Sequence, residues 1–508
     1  MRRIAAIAAA LASVPALFAA APSAHAAARL VVTGHGFGHG IGMSQYGAMG
    51  YAEHGADYKT ILDHYYEDTA VTPLGSAPDV RVLLQSGKRA VVTGVVAAGQ
   101  KKLNAASTYS VRAAGGGRVA LYSPTGRRML SATSPLRLAP PSGGAFTLRG
   151  GAANGLANGR YRGALEVRAS GSGVQAIDAV DLEDYVRGVV SAESPSSWPI
   201  EALKAQAVAA RTYAVTTDAG TATDGFTQYA DTRSQMYKGV AAELPTTDAA
   251  VSATAGQVVA QNGTPVVTYF FSTSGGHTED VENSFLGALP RAWLRGVDDP
   301  YDTVSPRHSW GPFTYTQASA QAKLKGLVRG SFRGITVLQR GVSPRIVRAE
   351  VDGTAGVTQV TGPQLRQRFG LFDTWASFTY ISSNAKKKKP ADDTTPPSTT
   401  TPAPTQTPTA DPAPATNTSG GATTPAPVDT SGGQAAMVAR APATHVTGTI
   451  RPARSGAKLR VQRRDDGAWR TVETTRVRAG GRYDAAVPGP GEYRVALGVV
   501  TGPSLNIR

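Results

Sequence analysis

Past Ser383 the chain loses the means to bury a core, and that break limits its possible folds more than any other feature. Lys386 to Lys389 is a run of four lysines, followed by ADDTTPPSTTTPAPTQTPTADPAPATNTSGGATTPAPVDTSGG. Proline, threonine and alanine at this density supply neither apolar periodicity nor bulk, so residues 385–436 are expected to be an extended, solvated, disordered linker. The lysine run reads as the edge of that linker, or as a segment resting on an anionic surface. Separate folding units must therefore flank it. With no cysteine in 508 residues, neither unit can be held by disulfides, and thiolate metal sites and cysteine nucleophiles are excluded.

The chain opens Met1-Arg2-Arg3, continues IAAIAAALASVPALFAAA and reaches Ala24-His25-Ala26. A basic start, an apolar stretch and small residues before a break predict a secretory signal peptide over residues 1–26. Its prolines and alanines argue against a stable membrane span, and no later apolar run is long enough for one. The mature chain is expected to be secreted, in or near the cell wall. Lys plus Arg number 52 against 36 Asp plus Glu, a formal net charge of +16. For an exported chain the anions in reach are wall polymers and peptidoglycan carboxylates, ahead of lipid head groups; nucleic acid is disfavoured.

After the linker, residues 437–508 alternate apolar and polar positions in short runs broken by Gly, Pro and Asp, as in KLRVQRRDDGAWRTVETTRV. About six strands are expected, with Asp466-Gly467 as a hairpin turn. The pattern looks like a small all-β, immunoglobulin-like sandwich that binds or spaces. Residues 27–384 are mixed. Strands are expected at 80–85, 109–114, 119–123, 164–170 and 265–273, and helices over Met43 to Tyr66 and in the pair beginning at Leu182. Strands clustered around a few helices indicate an α+β domain, expected to carry a substrate groove.

The segment LEDYVRGVVSAESPSSWPIEALKAQAVAARTYA, Leu182 to Ala214, holds the most chemical information. Asp181 caps a helix predicted to end near Ser191, and its first-turn acids suit the helix dipole. Glu193 lies beyond that end, where a carboxylate gains nothing from the dipole. It reads either as an ordinary loop glutamate or as a lone acid beside Trp198. Pro199 is expected to open the second helix, in which Leu203, Ala207, Ala210 and Ala214 form a narrow face of small residues. Lys204 and Arg211 suit a solvated face, whereas Gln206 among apolar neighbours needs buried partners.

Two loops carry further candidates. In GHGFGHGIGMSQYGA, Gly34 to Ala48, alternate glycines suggest a strand that another backbone or a flat ligand approaches, with His35 and His39 on the other face. His277 lies in the Gly-rich STSGGHTED, and DTRSQMYKG offers Gln235 and Tyr237. No metal-ligand spacing such as HExxH is present, and no metal or cofactor is expected.

Together YRGALEV, the Leu182 segment, DTRSQMYKG, STSGGHTE and GHGFGHGIGMSQYGA with ILDHYY resemble the SpoIID/LytB family of peptidoglycan lytic transglycosylases and amidase enhancers. The resemblance spans about Gly34 to Tyr380. It implies Glu193 as the catalytic acid/base, with Gln206, Arg211, Tyr213, Gln235, Tyr237, Ser274, His277, His39, Ser44 and Gln45 about the substrate. Peptidoglycan glycan strands are the implied partner, with a wall amidase as a second. The order departs from the family: the GHG–GMSQ segment normally closes the domain and here opens it, which looks like a circular permutation. Ser274 also stands where some members carry a cysteine, so a zinc role does not carry over. The family name implies no part in sporulation for this chain.

The implied reaction is cleavage of the β-1,4 bond between N-acetylmuramic acid and N-acetylglucosamine. The muramic C6 hydroxyl attacks within the substrate, so one carboxyl suffices. A water-using muramidase would need a second acid about 5–9 Å away, with Asp181 or Glu279 as candidates. A wall-binding amidase enhancer needs no acid at all.

Overall fold

The computed structural model describes residues 27–220, 224–387 and 444–507. The predicted signal peptide and all but the first three residues of the predicted linker therefore lie outside the described residues. The described chain divides into two compact units, one of Arg29–Tyr380 and one that begins at Ile381 and includes the C-terminal strands.

The larger unit is mixed and rich in strands. One sheet orders Gln228–Tyr229, Val80–Gly87, Gly173–Val180, Ala164–Ser170 and Leu136–Ala139, then two short strands at 97–98 and 101–102. A second orders Arg128–Thr133, Arg118–Tyr122, Tyr109–Gly115, Arg89–Thr93, Phe146–Arg149 and Arg160–Tyr161. Their inward residues, among them Val82, Leu84, Val92, Val111, Leu121 and Leu165, share one apolar core. The run predicted as a strand over 265–273 forms only two short pieces, Thr264–Pro265 and Phe270–Phe271. The second pairs in parallel with Met43–Ser44 of the glycine-rich segment.

Five helices build the site. The stretch expected to be one helix over Met43 to Tyr66 is two, α1 (Gln45–Glu53) and α2 (Tyr58–Tyr65). Gly55 at φ +88° breaks the run and Asp57 caps α2, its carboxylate accepting from the Thr60 N–H. Helix α3 (Leu182–Glu193) runs further than periodicity indicated, so Glu193 is its last residue. Pro199 is the N-cap of α4 (Ile200–Thr216) rather than its first residue; α5 is Pro245–Ala253. Helix α4 lies between two cores: Leu203, Ala207, Ala210 and Ala214 face the sheets and α3, while Ala205, Val208 and Ala209 face α1 and α2. Alanine on both sides lets backbones approach closely, which explains why so polar-poor a helix lacks one wet face.

The alternating glycines do not form a regular strand. Gly36, Gly38, Gly40 and Gly42 all take positive φ, so the strand Ala27–His35 ends where they begin. A Cβ at Gly40 would lie 2.5 Å from Nε of Arg345, so what approaches here is a buried guanidinium rather than a ligand. His35 and His39 consequently part company. His35 packs on Trp375 and His308, and His39 on Phe271 and Phe285.

In the smaller unit, the strands Lys458–Asp465, Ala468–Arg476 and Gly491–Leu497 pair antiparallel over a core of Leu459, Val461, Tyr493 and Val495. Asp466 and Gly467 both take left-handed φ, 51° and 80°, as an Asp-Gly hairpin turn requires. No helix among the described residues is long and apolar enough to cross a membrane.

Candidate active site

Glu193 stands half-buried at the C-terminus of α3. Its Oε1 accepts a hydrogen bond of 2.7 Å from the Met236 N–H. The DTRSQMYKG segment reaches it by crossing α3 at Gly188, where the Lys238 N–H donates to the Gly188 carbonyl at 2.8 Å. A Cβ on Gly188 would lie 2.4 Å from the Tyr237 ring, so only glycine admits the crossing. From the other side Gln45, the first residue of α1, donates from Nε2 to the Glu193 carbonyl and to Oε1 of Gln206, each at 3.3 Å. Burial pushes the Glu193 carboxyl above the usual glutamate range, and the Met236 N–H, the Gln45 amide and the Lys238 charge pull it partly back. Tyr185 and Tyr213 both feel its charge. Trp198 packs edge-on to Tyr46, with ring centroids 5.0 Å apart. Nε2 of Gln206 and Oγ of Ser194, both buried, have no protein hydrogen-bond partner.

The residues predicted about the substrate separate into three groups. Gln45, Gln206 and Tyr213 converge on Glu193. Gln235 and Tyr237 are fully buried beneath it. The Gln235 amide accepts from Tyr185 Oη at 2.9 Å and donates to the Ala210 carbonyl at 3.3 Å, and Tyr237 Oη donates to Asp178 at 2.7 Å. They set the course of the segment that delivers the Met236 N–H. Arg211 lies elsewhere. Its buried guanidinium donates to both oxygens of Glu183 at 2.8 and 2.7 Å, near the opposite end of α3. That is about 15 Å from Glu193 at the helical rise, so Arg211 ties α3 to α4.

Ser44, Ser274, His277 and His39 form the third group, around buried ion pairs. Ser44 caps α1, accepting from Gly47 and donating to Asp302 at 3.1 Å. Asp302 also accepts from the N–H groups of Ser274 and Gly275 at 3.0 and 2.9 Å. The GGHT loop is thus fastened to the start of α1. Arg345 holds the loop from behind, donating to Asp373 twice at 2.9 Å and to the carbonyls of Ser274 and His277. His277 lies 3.6 Å from exposed Asp298. Burial and the nearby Arg366 and Arg345 push His39 down to about 3, so its imidazole is neutral. Among the described residues no group of three or more His, Cys, Asp or Glu is placed to hold a metal.

Sequence reasoning missed Met236, Lys238, Tyr46, Asp302, Arg345 and Asp373 as contributors. Lys238 and Met236 lie inside the quoted DTRSQMYKG and Tyr46 inside GHGFGHGIGMSQYGA; Asp302, Arg345 and Asp373 are brought in by tertiary packing alone. It also missed Asp299, whose Oδ1 accepts from Tyr65 Oη at 2.9 Å against α1. Burial and then the charge of Asp302 raise its carboxyl from 3.8 to about 6. A raised carboxyl contributes stability below the unfolded value that is lost as pH climbs through the folded one. Asp299→Asn is therefore expected to be more stable than the parent at pH 8, by about 1–3 kcal/mol, with the gap closing towards pH 4. Urea unfolding across that range checks this, and parallel pH profiles for the two proteins would refute it.

A half-buried carboxyl raised by burial, flanked by amides and aromatic rings, makes Glu193 the candidate acid/base of a mixed, strand-rich domain. Residues 170–260, which contain α3, α4 and Glu193, match the sequence model of SpoIID, the stage II sporulation protein family. The stage II sporulation protein D of Bacillus subtilis is 31% identical over 212 residues, covering 39% of this chain and 60% of that protein. That of Bacillus amyloliquefaciens is 30% identical over 211 residues, and the amidase enhancer of B. subtilis 34% over 142. The chain thus spans about 60% of the length of the sporulation proteins it matches and 18% of the amidase enhancer. On these matches the chain resembles the SpoIID/LytB family, with residues 170–260 as the segment that matches its model.

Proposed function

We propose that the chain is an exported lytic transglycosylase that cuts peptidoglycan glycan strands between N-acetylmuramic acid and N-acetylglucosamine. Glu193, protonated, gives its proton to the leaving O4 as the C1–O4 bond breaks. The muramic C6 oxygen bonds to C1 and its proton passes to the Glu193 carboxylate. The product is a 1,6-anhydro end, no water is consumed, and the acid is regenerated. The observation that carries this reading is a carboxyl raised by burial and held by the Met236 N–H, with neither candidate second acid, Asp181 or Glu279, placed to serve a hydrolase. Asp181 caps the far end of α3, about 18 Å away at the helical rise. Glu279 is fully buried and already accepts from Ser343, Val342, Asp280 and Asn283. Nε2 of Gln206, without a hydrogen-bond partner among the described residues, and the Trp198–Tyr46 pair suit a sugar's hydroxyls and ring face.

Circular permutation is supported by the neighbours of the glycine-rich segment. The His35 N–H donates to the Trp375 carbonyl at 2.9 Å and the Gly38 N–H to that of Phe372 at 3.2 Å. The segment that opens this domain therefore adjoins the one that would precede it in the usual order. The C-terminal unit, on the proposal an immunoglobulin-like module, binds or spaces. The amidase-enhancer relative favours a second reading, a non-catalytic wall protein that stimulates an amidase.

Mass spectrometry of peptide-free glycan strands after incubation separates the readings. Anhydro ends support the transglycosylase, reducing ends a muramidase, and binding without products the enhancer. The pH profile adds a check. Activity should fall on the alkaline side as Glu193 loses its proton. Lys238 favours the carboxylate, so Lys238→Gln should move that limb to higher pH. A limb unmoved or shifted downward would separate Lys238 from the acid.

A further inference from the structure

The outward face of the C-terminal sheet has a charge pattern that its fold does not require. Register places Lys458 opposite Arg476, Arg460 opposite Thr474 and Ala496, Gln462 opposite Arg494, and Arg464 opposite Trp469. Leu459 and Val461 point the other way, into the core. Lys458, Arg460, Arg464 and Arg476 are exposed and Arg494 is half-buried. Of Lys458, Arg460, Arg464 and Arg476, only Arg464 has an ion-pair partner among the described residues, Glu492 at 3.3 Å. Arg494 lies 4.3 Å over the Trp469 ring and donates to Gln462 at 2.8 Å, so an indole and a guanidinium are held flat in mid-sheet. Lys458 and Arg460 stand about 6.7 Å apart on one strand face, with Gln462 between Arg460 and Arg464, and like charges side by side on a sheet are destabilising unless an anion neutralises them.

We propose that this face binds a linear wall polymer bearing a phosphodiester in every repeat, an alditol-phosphate chain. Guanidinium groups fit phosphate oxygens through paired N–H donors. A chain with an anion in every repeat can meet several cations of a cluster spread over three neighbouring strands, and Trp469 offers an apolar surface to its carbon backbone. Apart from Trp469 and Ala496 the face is polar, so it lacks the aliphatic anchors a bilayer would need. The partner's identity rests on the export part of the proposed function and not on the chemistry of Glu193.

The test uses the mature full-length chain and purified poly(glycerol phosphate), with affinity measured by interferometry at several salt concentrations. Binding should weaken steeply as salt rises. Lys458→Ser, Arg460→Ser and Arg494→Ser together should weaken it at least tenfold, whereas Lys101→Ser with Lys102→Ser in the larger unit should leave it unchanged. A lysine version of the two arginine sites, which keeps the charge, should retain most of the binding and controls for folding, together with thermal melts. Full binding by the folded triple variant, absence of binding by the parent, or equally tight binding of a short DNA duplex would each overturn the proposal. Cleavage of phosphate-free glycan strands should be unaffected in the triple variant. Loss of cleavage with polymer binding intact would therefore count against the transglycosylase reading alone.

Discussion

Glu193→Gln is expected to remove glycan cleavage, lowering the rate by at least about 1,000-fold, while the protein folds as before. Glutamine keeps the side chain's shape, and its carbonyl oxygen can still accept from the Met236 N–H, which approaches at 2.7 Å. It cannot give a proton to the leaving oxygen or take one from the attacking hydroxyl. Since one carboxyl performs both transfers in the proposed reaction, no partner remains to share the loss. Burial already disfavours the ionised acid, so the neutral amide should leave stability equal to or above the parent's. Glu193→Asp draws the carboxyl back by one methylene and should cost about 100-fold. Product mass spectrometry and thermal melts on the same preparations give both readouts. A glutamine variant within tenfold of the parent rate would remove Glu193 from the mechanism.

Arg345→Met should give the largest loss of stability. Arg345 and Asp373 are buried, paired through two hydrogen bonds of 2.9 Å, and the same guanidinium serves the carbonyls of Ser274 and His277. Removing it leaves a buried carboxylate with the Trp375 N–H at 3.0 Å and leaves two loop carbonyls without this donor. Breaking one side of such a pair costs about 3–5 kcal/mol. The GGHT loop and the glycine-rich segment, both packed on Arg345, should loosen together. Arg345→Met combined with Asp373→Leu should recover part of the loss, because no lone charge is then buried. Urea denaturation measures both variants. A cost below about 1 kcal/mol for Arg345→Met would mean that the pair does not hold these loops.

What could be read without coordinates was governed by short range. The cap at Asp181, the acids in the first turn of α3 and the small face of α4 follow from spacings within two turns. The structure places all of them in the expected positions. The Asp466-Gly467 turn is local in the same way. Errors arose where neighbours distant in sequence decided the outcome. Arg211 looked like a helix-surface cation, yet Glu183 and the Gln257 carbonyl draw it inside. Residues 265–273 are apolar enough for a strand, but they pair only in pieces: Pro265 with Ala260, Phe270–Phe271 with Met43–Ser44, and Thr273 with Phe37. The alternating glycines suggested a strand because alternation is a strand signal; their positive φ serves the close approach of Arg345 and Phe271.

The sequence by itself determined which residues could do chemistry: a lone glutamate at a helix end before Ser-Pro, with amides and aromatics around it and no cysteine. Helix periodicity, capping and composition act over a few residues and survive in one dimension. Only the tertiary structure decided what that glutamate is. Its proton affinity depends on burial, on the Met236 N–H 43 residues away and on the Gln45 amide 148 residues away. Desolvation and hydrogen bonding depend on which groups are close in space, and the sequence alone does not specify those distances.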